Sequence, residues 1–303
     1  MKAILKYINW IRRSSLYIFI NRLIKNPLFI KDLIIQKRIN NKNNKHITSW
    51  TIYLLIYYFP IMIAHIFTKG TTPEDIVFSS KVLKNCQYSF ILSCYIQILY
   101  YWYRGICESF SLFVREKEYK TFESIINTSL SPEDILIGKF WTVFYPLSFE
   151  LTVLFPFFFS MGFLTGVPYI KLFSLYFLTI FFIAFSGTIG LWASVNSKTA
   201  ENAHVLTCGI IGLILFAPFI FSFILVIICK YLFCGPVYEI ICLPLFLNPL
   251  FSLTQILFYG KEITFISLYY LIGSILTLVS VYSTTTLYLW KNIIKQLAVI
   301  PEE

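Results

Sequence analysis

Residues 115–139 read REKEYKTFESIINTSLSPEDILIGK, and this stretch holds nine charged side chains. The apolar residues 87–113 before it and 140–164 after it are each longer than the roughly 20 residues that a helix needs to cross a bilayer core. A charged stretch between two such runs predicts a connection on one side of a membrane, with a spanning helix before it and another after it. We call residues 115–139 the charged segment.

The composition favours lipid as the solvent of most of the chain. The 303 residues are 57% hydrophobic and 13% charged, whereas soluble domains carry about 25% charged residues. The net charge of +10 does not indicate nucleic-acid binding, because 11 of the 25 Lys and Arg residues lie in the first 46 positions. That placement is typical of a cytoplasmic flank facing anionic lipid. The composition therefore predicts an all-α integral membrane protein.

Six segments are long and apolar enough to be transmembrane helices: 47–68, 87–113, 140–164, 169–194, 203–229 and 263–289. With six spans, 18 Lys and Arg residues fall on the side of the two termini and the charged segment, and six fall on the opposite side. The excess of positive charge predicts that both termini and the charged segment are cytoplasmic.

The sequence outside the spans predicts three further regions. Residues 1–46 mix Ile, Leu, Trp and Phe with Lys and Arg, as expected of an amphipathic elbow segment lying along the membrane surface before the transmembrane domain, 47–290. Residues 230–262 are too apolar and too rich in proline for a free loop, which favours short re-entrant helices between spans 5 and 6. Residues 291–303 are predicted to be a cytoplasmic tail.

The charged segment contains a helix start. Ser131 is a suitable N-cap, Pro132 suits the first helical position, and Asp134 has the spacing of a capping box. The third spanning helix is therefore expected to begin near residue 132. Upstream, residues 121–127 (TFESIIN) place Phe122, Ile125 and Ile126 on one side of a short amphipathic helix, which either docks onto a partner or floats on the membrane surface.

Residues 116–139 resemble the hallmark of type-2 ABC transporter permeases, which runs E-R-E-x-G-T-L-E-x-L-L-x-T-P-L-S-x-x-E-I-L-x-G-K. Two further stretches agree: NPLFIKDL (26–33) is similar to the elbow motif N-P-V-L-x-[KR]-E-L, and NPLFSL (248–253) resembles the N-P segment between the last two spans. This chain departs from the hallmark at Lys120, where the family has Gly, and at Ser129, where it has Pro.

The resemblance implies a permease subunit of the bacterial cytoplasmic membrane, of the exporter type. Residues 119–130 would be the coupling helix, seated in a separate ATPase subunit that supplies ATP and Mg. Two permease chains, either two copies or one copy and a paralogue, would join two ATPase subunits. The coupling residues implied are Glu116, Glu118, Thr121, Phe122, Glu123, Ile125, Ile126, Leu130 and Ser131. The chain has no G-x-x-x-x-G-K-[ST] phosphate loop, no catalytic motif and no metal-ligand spacing, so no cofactor is expected in it.

Three charged residues fall inside predicted spans: Arg104, Glu108 and Glu150. Arg104 and Glu108 share a helix face, and antiparallel neighbours place Arg104 and Glu150 at similar depth. Because an unpaired charge at depth costs at least about 2.5 kcal/mol, we expect an Arg104–Glu150 contact assisted by Glu108. The network would be a strut that transmits movement, an ion pair that fixes helix packing, or charges reaching a water-filled vestibule.

Two other functional classes fit the same spans. A regulatory or mechanotransmission subunit would keep the permease shape without passing substrate. A secondary transporter would need no ATPase, although that class often shows inverted repeats and broken helices, and no repeat is visible here. Membrane lipid is an expected partner in every case, and the sequence does not indicate the substrate.

Overall fold

The computed structural model describes residues 25–42, 80–232, Asn248 and 265–299, and within these ranges the chain is helical and has no strands. The helices are α1 Pro27–Lys42, α2 Ser80–Ser109, α3 Val114–Glu118, α4 Phe122–Ile126, α5 Pro132–Leu164, α6 Tyr169–Asn196, α7 Ala200–Leu232 and α8 Phe265–Val299. The all-α prediction is confirmed for this part of the chain. The predicted first span, 47–68, and most of the predicted re-entrant segment, 230–262, lie outside the described residues.

Three of the described helices are long and apolar enough to cross a membrane. The qualifying stretches are Pro132–Ser160, Tyr169–Asn196 and Ala200–Leu225. They coincide with the predicted third, fourth and fifth spans and indicate an integral membrane protein. As expected from the cap signal, α5 begins at Pro132.

The second predicted span ends earlier than expected. The second span was expected to continue to residue 113, but α2 ends at Ser109 and residues 110–113 form turns. The chain turns there because the backbone N–H groups of Phe113 and Val114 donate to the side chain of Ser194 on α6, at 2.9 and 3.0 Å. The predicted tail is also partly helical, since α8 continues to Val299.

The principal hydrophobic core is built around α6. This helix is buried along most of its length and packs against α2, α5, α7 and α8. Trp102 of α2 stacks on Phe182 of α6 with ring centroids 5.6 Å apart, and Tyr282 of α8 stacks on Phe185 at 4.4 Å. Such aromatic pairs add stabilisation beyond the apolar area that they bury.

A second, smaller core lies beneath the charged segment. Helices α1, α4, α5, α6 and α8 contribute to it, and its fully buried members include Phe113, Leu136, Leu191 and Ile293. Phe122 and Ile125 of α4 are buried in the same core, as is Leu297 near the end of α8. The last turns of α8 are therefore part of the folded domain, because they cover apolar side chains of the charged segment.

Candidate functional site

The charged segment folds into two five-residue helices, α3 and α4, separated by a sharp reversal. The backbone N–H of Thr121 donates to the Glu116 carbonyl at 2.9 Å across this reversal. Residues 119–130 were predicted to form one helix, but only Phe122–Ile126 is helical. The reason lies at Lys120, whose φ of +56° is left-handed and interrupts a right-handed helix.

Lys120 stands where the permease hallmark has Gly, the residue that adopts a left-handed conformation without steric cost. Replacing Lys120 by Gly is expected to raise the free energy of unfolding by about 0.5–1 kcal/mol, because relief of backbone strain exceeds the added entropy of the unfolded chain. Thermal unfolding of the detergent-solubilised protein measures this. Tyr119→Gly is the matched control, since Tyr119 is 77% exposed and has an ordinary φ of −83°. An equal loss of stability in both variants would contradict the prediction.

A buried ion cluster joins the charged segment to two other helices. Lys139 of α5 is 1% exposed, and its Nζ lies 2.8 Å from Asp32 Oδ2 on α1 and 2.5 Å from Glu116 Oε1 on α3. The Phe113 ring lies beside the same ammonium group. These three residues, Asp32, Glu116 and Lys139, are called the Lys139 cluster. Hydrogen-bonded charge pairs of this kind fix geometry strongly because breaking one leaves an unpaired buried charge.

The N-P pair of the elbow motif strengthens the contact between α1 and α5. Asn26 caps α1 by accepting hydrogen bonds from the N–H groups of Leu28, at 3.0 Å, and Phe29, at 3.4 Å. Its Nδ2 donates to the Asp134 carbonyl at 2.7 Å. A Cβ atom on Gly138 would come within 3.0 Å of the same amide. The elbow motif and the Gly-Lys end of the hallmark therefore pack directly against each other.

The predicted N-cap of the third span is present, with one difference. The Ser131 hydroxyl accepts a hydrogen bond from the Asp134 N–H at 3.2 Å. A full capping box would have the Asp134 carboxylate accept from the Ser131 backbone N–H, but it accepts from the Ser131 hydroxyl instead, at 2.7 Å. The cap still fixes where α5 begins.

Lys117 and Glu118 bind the connection between α6 and α7. The Lys117 ammonium donates to the carbonyls of Val195 and, at 3.1 Å, Ser197 at the end of α6. Glu118 Oε1 accepts from the N–H of Ala200, the first residue of α7, at 3.0 Å. Each charge has the sign that the adjacent helix dipole favours. Burial lowers the pKa of Lys117, because withdrawing the ammonium group from water disfavours its charged form.

The predicted coupling residues divide into a buried group and an exposed group. Glu116, Phe122 and Ile125 are buried, and Ile126 and Leu130 pack partly against the second core. The apolar face of α4 is therefore directed into the chain itself. The exposed members are Glu118, Thr121 and Glu123, accompanied by the neighbouring Tyr119 and Lys120. The accessible surface of the charged segment is polar, with one prominent tyrosine.

The predicted contact between Arg104 and Glu150 is confirmed, at 3.5 Å. Glu108 is the nearer partner, with its Oε1 3.0 Å from Arg104 Nε, and the Tyr100 hydroxyl lies 2.9 Å from Arg104 Nη1. All three charged side chains are between 22% and 24% exposed. The network therefore joins α2 to α5 near the surface of the bundle, and it contains none of the residues of the Lys139 cluster.

A close contact between α2 and α6 was missed at the sequence level. A Cβ atom on Gly105 would lie 2.1 Å from Ser186 Oγ, and one on Gly190 would lie 1.8 Å from Ser109 Oγ. Gly105 and Ser109, like Ser186 and Gly190, are four residues apart, which is the small-x-x-x-small spacing of tightly packed membrane helices. We call these four residues the small-residue seam. The four-residue spacing within each helix is visible in the sequence, but only the structure shows that Gly105 faces Ser186 and that Ser109 faces Gly190.

The third resembling motif also meets a described helix. Asn248, of NPLFSL, is fully buried, and its Nδ2 donates to the Leu215 carbonyl of α7 at 2.6 Å. Pro218 lies in the same turn of α7 and has no N–H, so the backbone there loses an intrahelical hydrogen bond. The Asn248 side chain therefore adds a polar partner to a proline-weakened part of the fifth predicted span.

An apolar groove of about 830 Å³ lies between α6, α7 and α8. Its walls are aliphatic and aromatic side chains, among them Trp192, Leu213, Phe221, Tyr282 and Tyr288. Within the described ranges, His, Cys, Asp and Glu side chains form no group of three that could hold a metal ion. The groove thus suits an apolar molecule. The ion pairs and hydrogen bonds of the Lys139 cluster, Lys117 and Glu118 lie instead at the charged segment.

The fold and the site together define a helical membrane protein whose charged segment is anchored in its own core. No protein-family model matches the chain, and no curated protein matches it. The resemblance to type-2 ABC permeases is therefore one of short sequence motifs.

Proposed function

We propose that this chain is the membrane permease subunit of an ATP-driven ABC transporter of the exporter type, powered by a separate ATPase through the charged segment. The observation that supports it is the Lys139 cluster. Asp32 comes from the stretch that resembles the family elbow, whereas Glu116 and Lys139 are the first and last residues of the hallmark. Glu116 and Lys139 match the hallmark, and Asp32 stands where the elbow motif has the other acidic residue, Glu. These three positions are separated by up to 107 residues and meet at one buried point, which a chance resemblance would not predict.

The contacts of the charged segment suit it to transmit force. The Lys139 cluster joins it to α1 and α5, and Lys117 and Glu118 join it to the ends of α6 and α7. The exposed residues of this segment include Tyr119, Lys120, Thr121 and Glu123. A partner that moves them would pull on α1, α5, α6 and α7 at once. In this mechanism, ATP and Mg act in the partner chain, and this chain converts their effect into tilting of its spans.

The remaining surfaces are consistent with a paired permease in a bacterial cytoplasmic membrane with both termini in the cytoplasm. The predicted six spans would include α2, α8 and residues 47–68 in addition to the three qualifying helices. Much of the apolar surface of α7 is exposed, including Leu213, Phe216 and Phe221, so lipid or a second permease chain can cover it. The groove beside α7 favours an amphipathic or lipid-like substrate.

The proposal is tested by co-purification with a co-expressed ATPase encoded next to this chain. Glu123 is exposed and Glu123→Lys should therefore leave the fold intact while reversing a charge on the docking surface. We expect the wild type to retain the ATPase and the variant to bind it at least about tenfold more weakly, which corresponds to a binding loss of about 1.4 kcal/mol or more.

Glu201→Lys is the matched control, because Glu201 is an equally exposed glutamate in the first turn of α7, on a different connection. It should retain the ATPase. If the ATPase never binds, or binds Glu123→Lys as well as wild type, the permease proposal is wrong. A regulatory subunit or a secondary transporter would then be the better interpretation.

A further inference from the structure

The Lys139 cluster contains two carboxylates and one ammonium group, all of them buried. The side chains of Asp32 and Glu116 are each 10% exposed, and that of Lys139 is 1% exposed. With every group ionised, the cluster would hold one surplus negative charge away from water. An uncompensated buried charge is costly, and carboxyl groups that share a site commonly relieve this cost by keeping a proton.

Both carboxyl groups of the Lys139 cluster have one buried oxygen without a hydrogen-bond partner among the described residues, Asp32 Oδ2 and Glu116 Oε2. In Glu116, only the other oxygen, Oε1, accepts from Lys139. An ionised carboxylate offers two strong acceptor oxygens, so a buried oxygen without a donor disfavours the ionised form. Asp32 Oδ2 also makes no hydrogen bond of good geometry, but it lies 2.8 Å from the Lys139 ammonium and therefore forms an ion pair with it.

The charges that face Glu116 come from both helices packed against it. Lys139 of α5 and Lys31 of α1 favour the ionised form, and Asp32 of α1 opposes it. On α3 itself, Arg115 is exposed and Lys117 is directed to the carbonyls at the end of α6. Burial outweighs the nearby lysines and raises the pKa of Glu116 above its ordinary value.

We propose that the Lys139 cluster is a proton-binding site, in which Glu116 takes up one proton and thereby locks the charged segment against α1 and α5. With the proton bound, Lys139 balances Asp32 and the cluster is neutral. Loss of the proton leaves a surplus negative charge that draws water into the cluster and weakens the attachment of α3. The charged segment is then a latch whose strength depends on pH. This inference concerns the chain by itself and requires no ATPase partner.

The direction of the pH effect follows from the raised pKa. A carboxyl group whose folded-state pKa exceeds its unfolded value of about 4.3 contributes stability at pH below the unfolded value. That contribution is lost as the pH rises through the folded-state pKa. We therefore expect the thermal midpoint of the wild-type protein to fall over this interval.

The experiment follows the detergent-solubilised full chain from about pH 4 to about pH 9, a range that includes the pKa values of both ordinary and buried glutamate side chains. Two signals are recorded: the infrared C=O band of protonated carboxyl groups, and the thermal midpoint. In wild type, a band should disappear with the fall in the midpoint. Glu116→Gln, a neutral isostere, should lack that band and that fall. Glu201→Gln, at an exposed glutamate in the first turn of α7, should behave as wild type.

Asp32→Asn provides the second readout. Removing the like charge leaves one carboxyl group for one ammonium group, so the titration of Glu116 should move to lower pH. The proposal is overturned if Glu116→Gln keeps the wild-type band and pH dependence. If Glu116→Gln does not fold, an unchanged titration in Asp32→Asn overturns it equally, and a shift to lower pH supports it.

Discussion

Replacing Lys139 by Met is expected to lower the free energy of unfolding by about 3–5 kcal/mol. Met fills a volume similar to that of the Lys stem, so the loss comes from the charge and not from a cavity. Without the ammonium group, the carboxyl groups of Asp32 and Glu116 remain buried, and no other cation of the described residues forms an ion pair with them. Thermal or denaturant unfolding in detergent measures the change, and α1, α3 and α5 should all lose their mutual attachment.

The matched control is Lys198→Met, an exposed lysine in the connection between α6 and α7. It should change stability by no more than about 0.5 kcal/mol. Combining Lys139→Met with Asp32→Asn and Glu116→Gln should recover most of the loss, because a buried ion cluster can be replaced by neutral groups of similar volume at little cost. A loss below about 1 kcal/mol in Lys139→Met would show that the cluster does not hold the segment in place.

Gly190→Ala is expected to destabilise the protein by about 1–3 kcal/mol, although alanine is the better helix former. The added Cβ would lie 1.8 Å from Ser109 Oγ, 2.8 Å from Ser109 Cβ and 3.2 Å from the Phe110 backbone nitrogen. Rotation of the serine hydroxyl relieves only the first of these contacts. The α2–α6 interface, at the centre of the principal core, must therefore move apart.

Gly212→Ala is the matched control, because no atom lies within 4 Å of a Cβ built at Gly212 on α7. It should be neutral or stabilise α7 by up to about 1 kcal/mol. Adding Ser109→Gly to Gly190→Ala removes both the Oγ and the Cβ contact and should restore part of the lost stability. Equal effects at Gly190 and Gly212 would mean that the small-residue seam does not determine how the helices pack.

The two predictions bear on different parts of the proposed mechanism. The Lys139 cluster attaches the charged segment to the bundle, so its loss should uncouple a docked partner from the spans. The small-residue seam holds α2 and α6 at a fixed distance, so its disruption should affect the bundle with or without a partner. Comparing ATPase retention in Lys139→Met and in Gly190→Ala separates attachment of the segment from integrity of the bundle.

The sequence by itself determined the helical membrane class, the third to fifth spans and the start of α5. These features follow from apolar length and from local chemistry: about 20 apolar residues span a bilayer, and Ser131 caps the helix that Pro132 begins. The Arg104–Glu150 contact was also predictable, since depth in two antiparallel helices can be counted from their shared loop. The stretch that resembles the family hallmark begins at Glu116 and ends at Lys139, but the resemblance does not imply a contact between these two residues.

Only the tertiary structure decided which residues of the charged segment are accessible. A short amphipathic helix has the same pattern whether its apolar face meets a partner or its own protein, and here Phe122 and Ile125 face inward, into the second core of the chain itself. The meeting of Asp32 with Lys139, and of Ser109 with Gly190, joins residues 107 and 81 positions apart. Contacts over such distances depend on how whole helices pack, and local pattern carries no information about that.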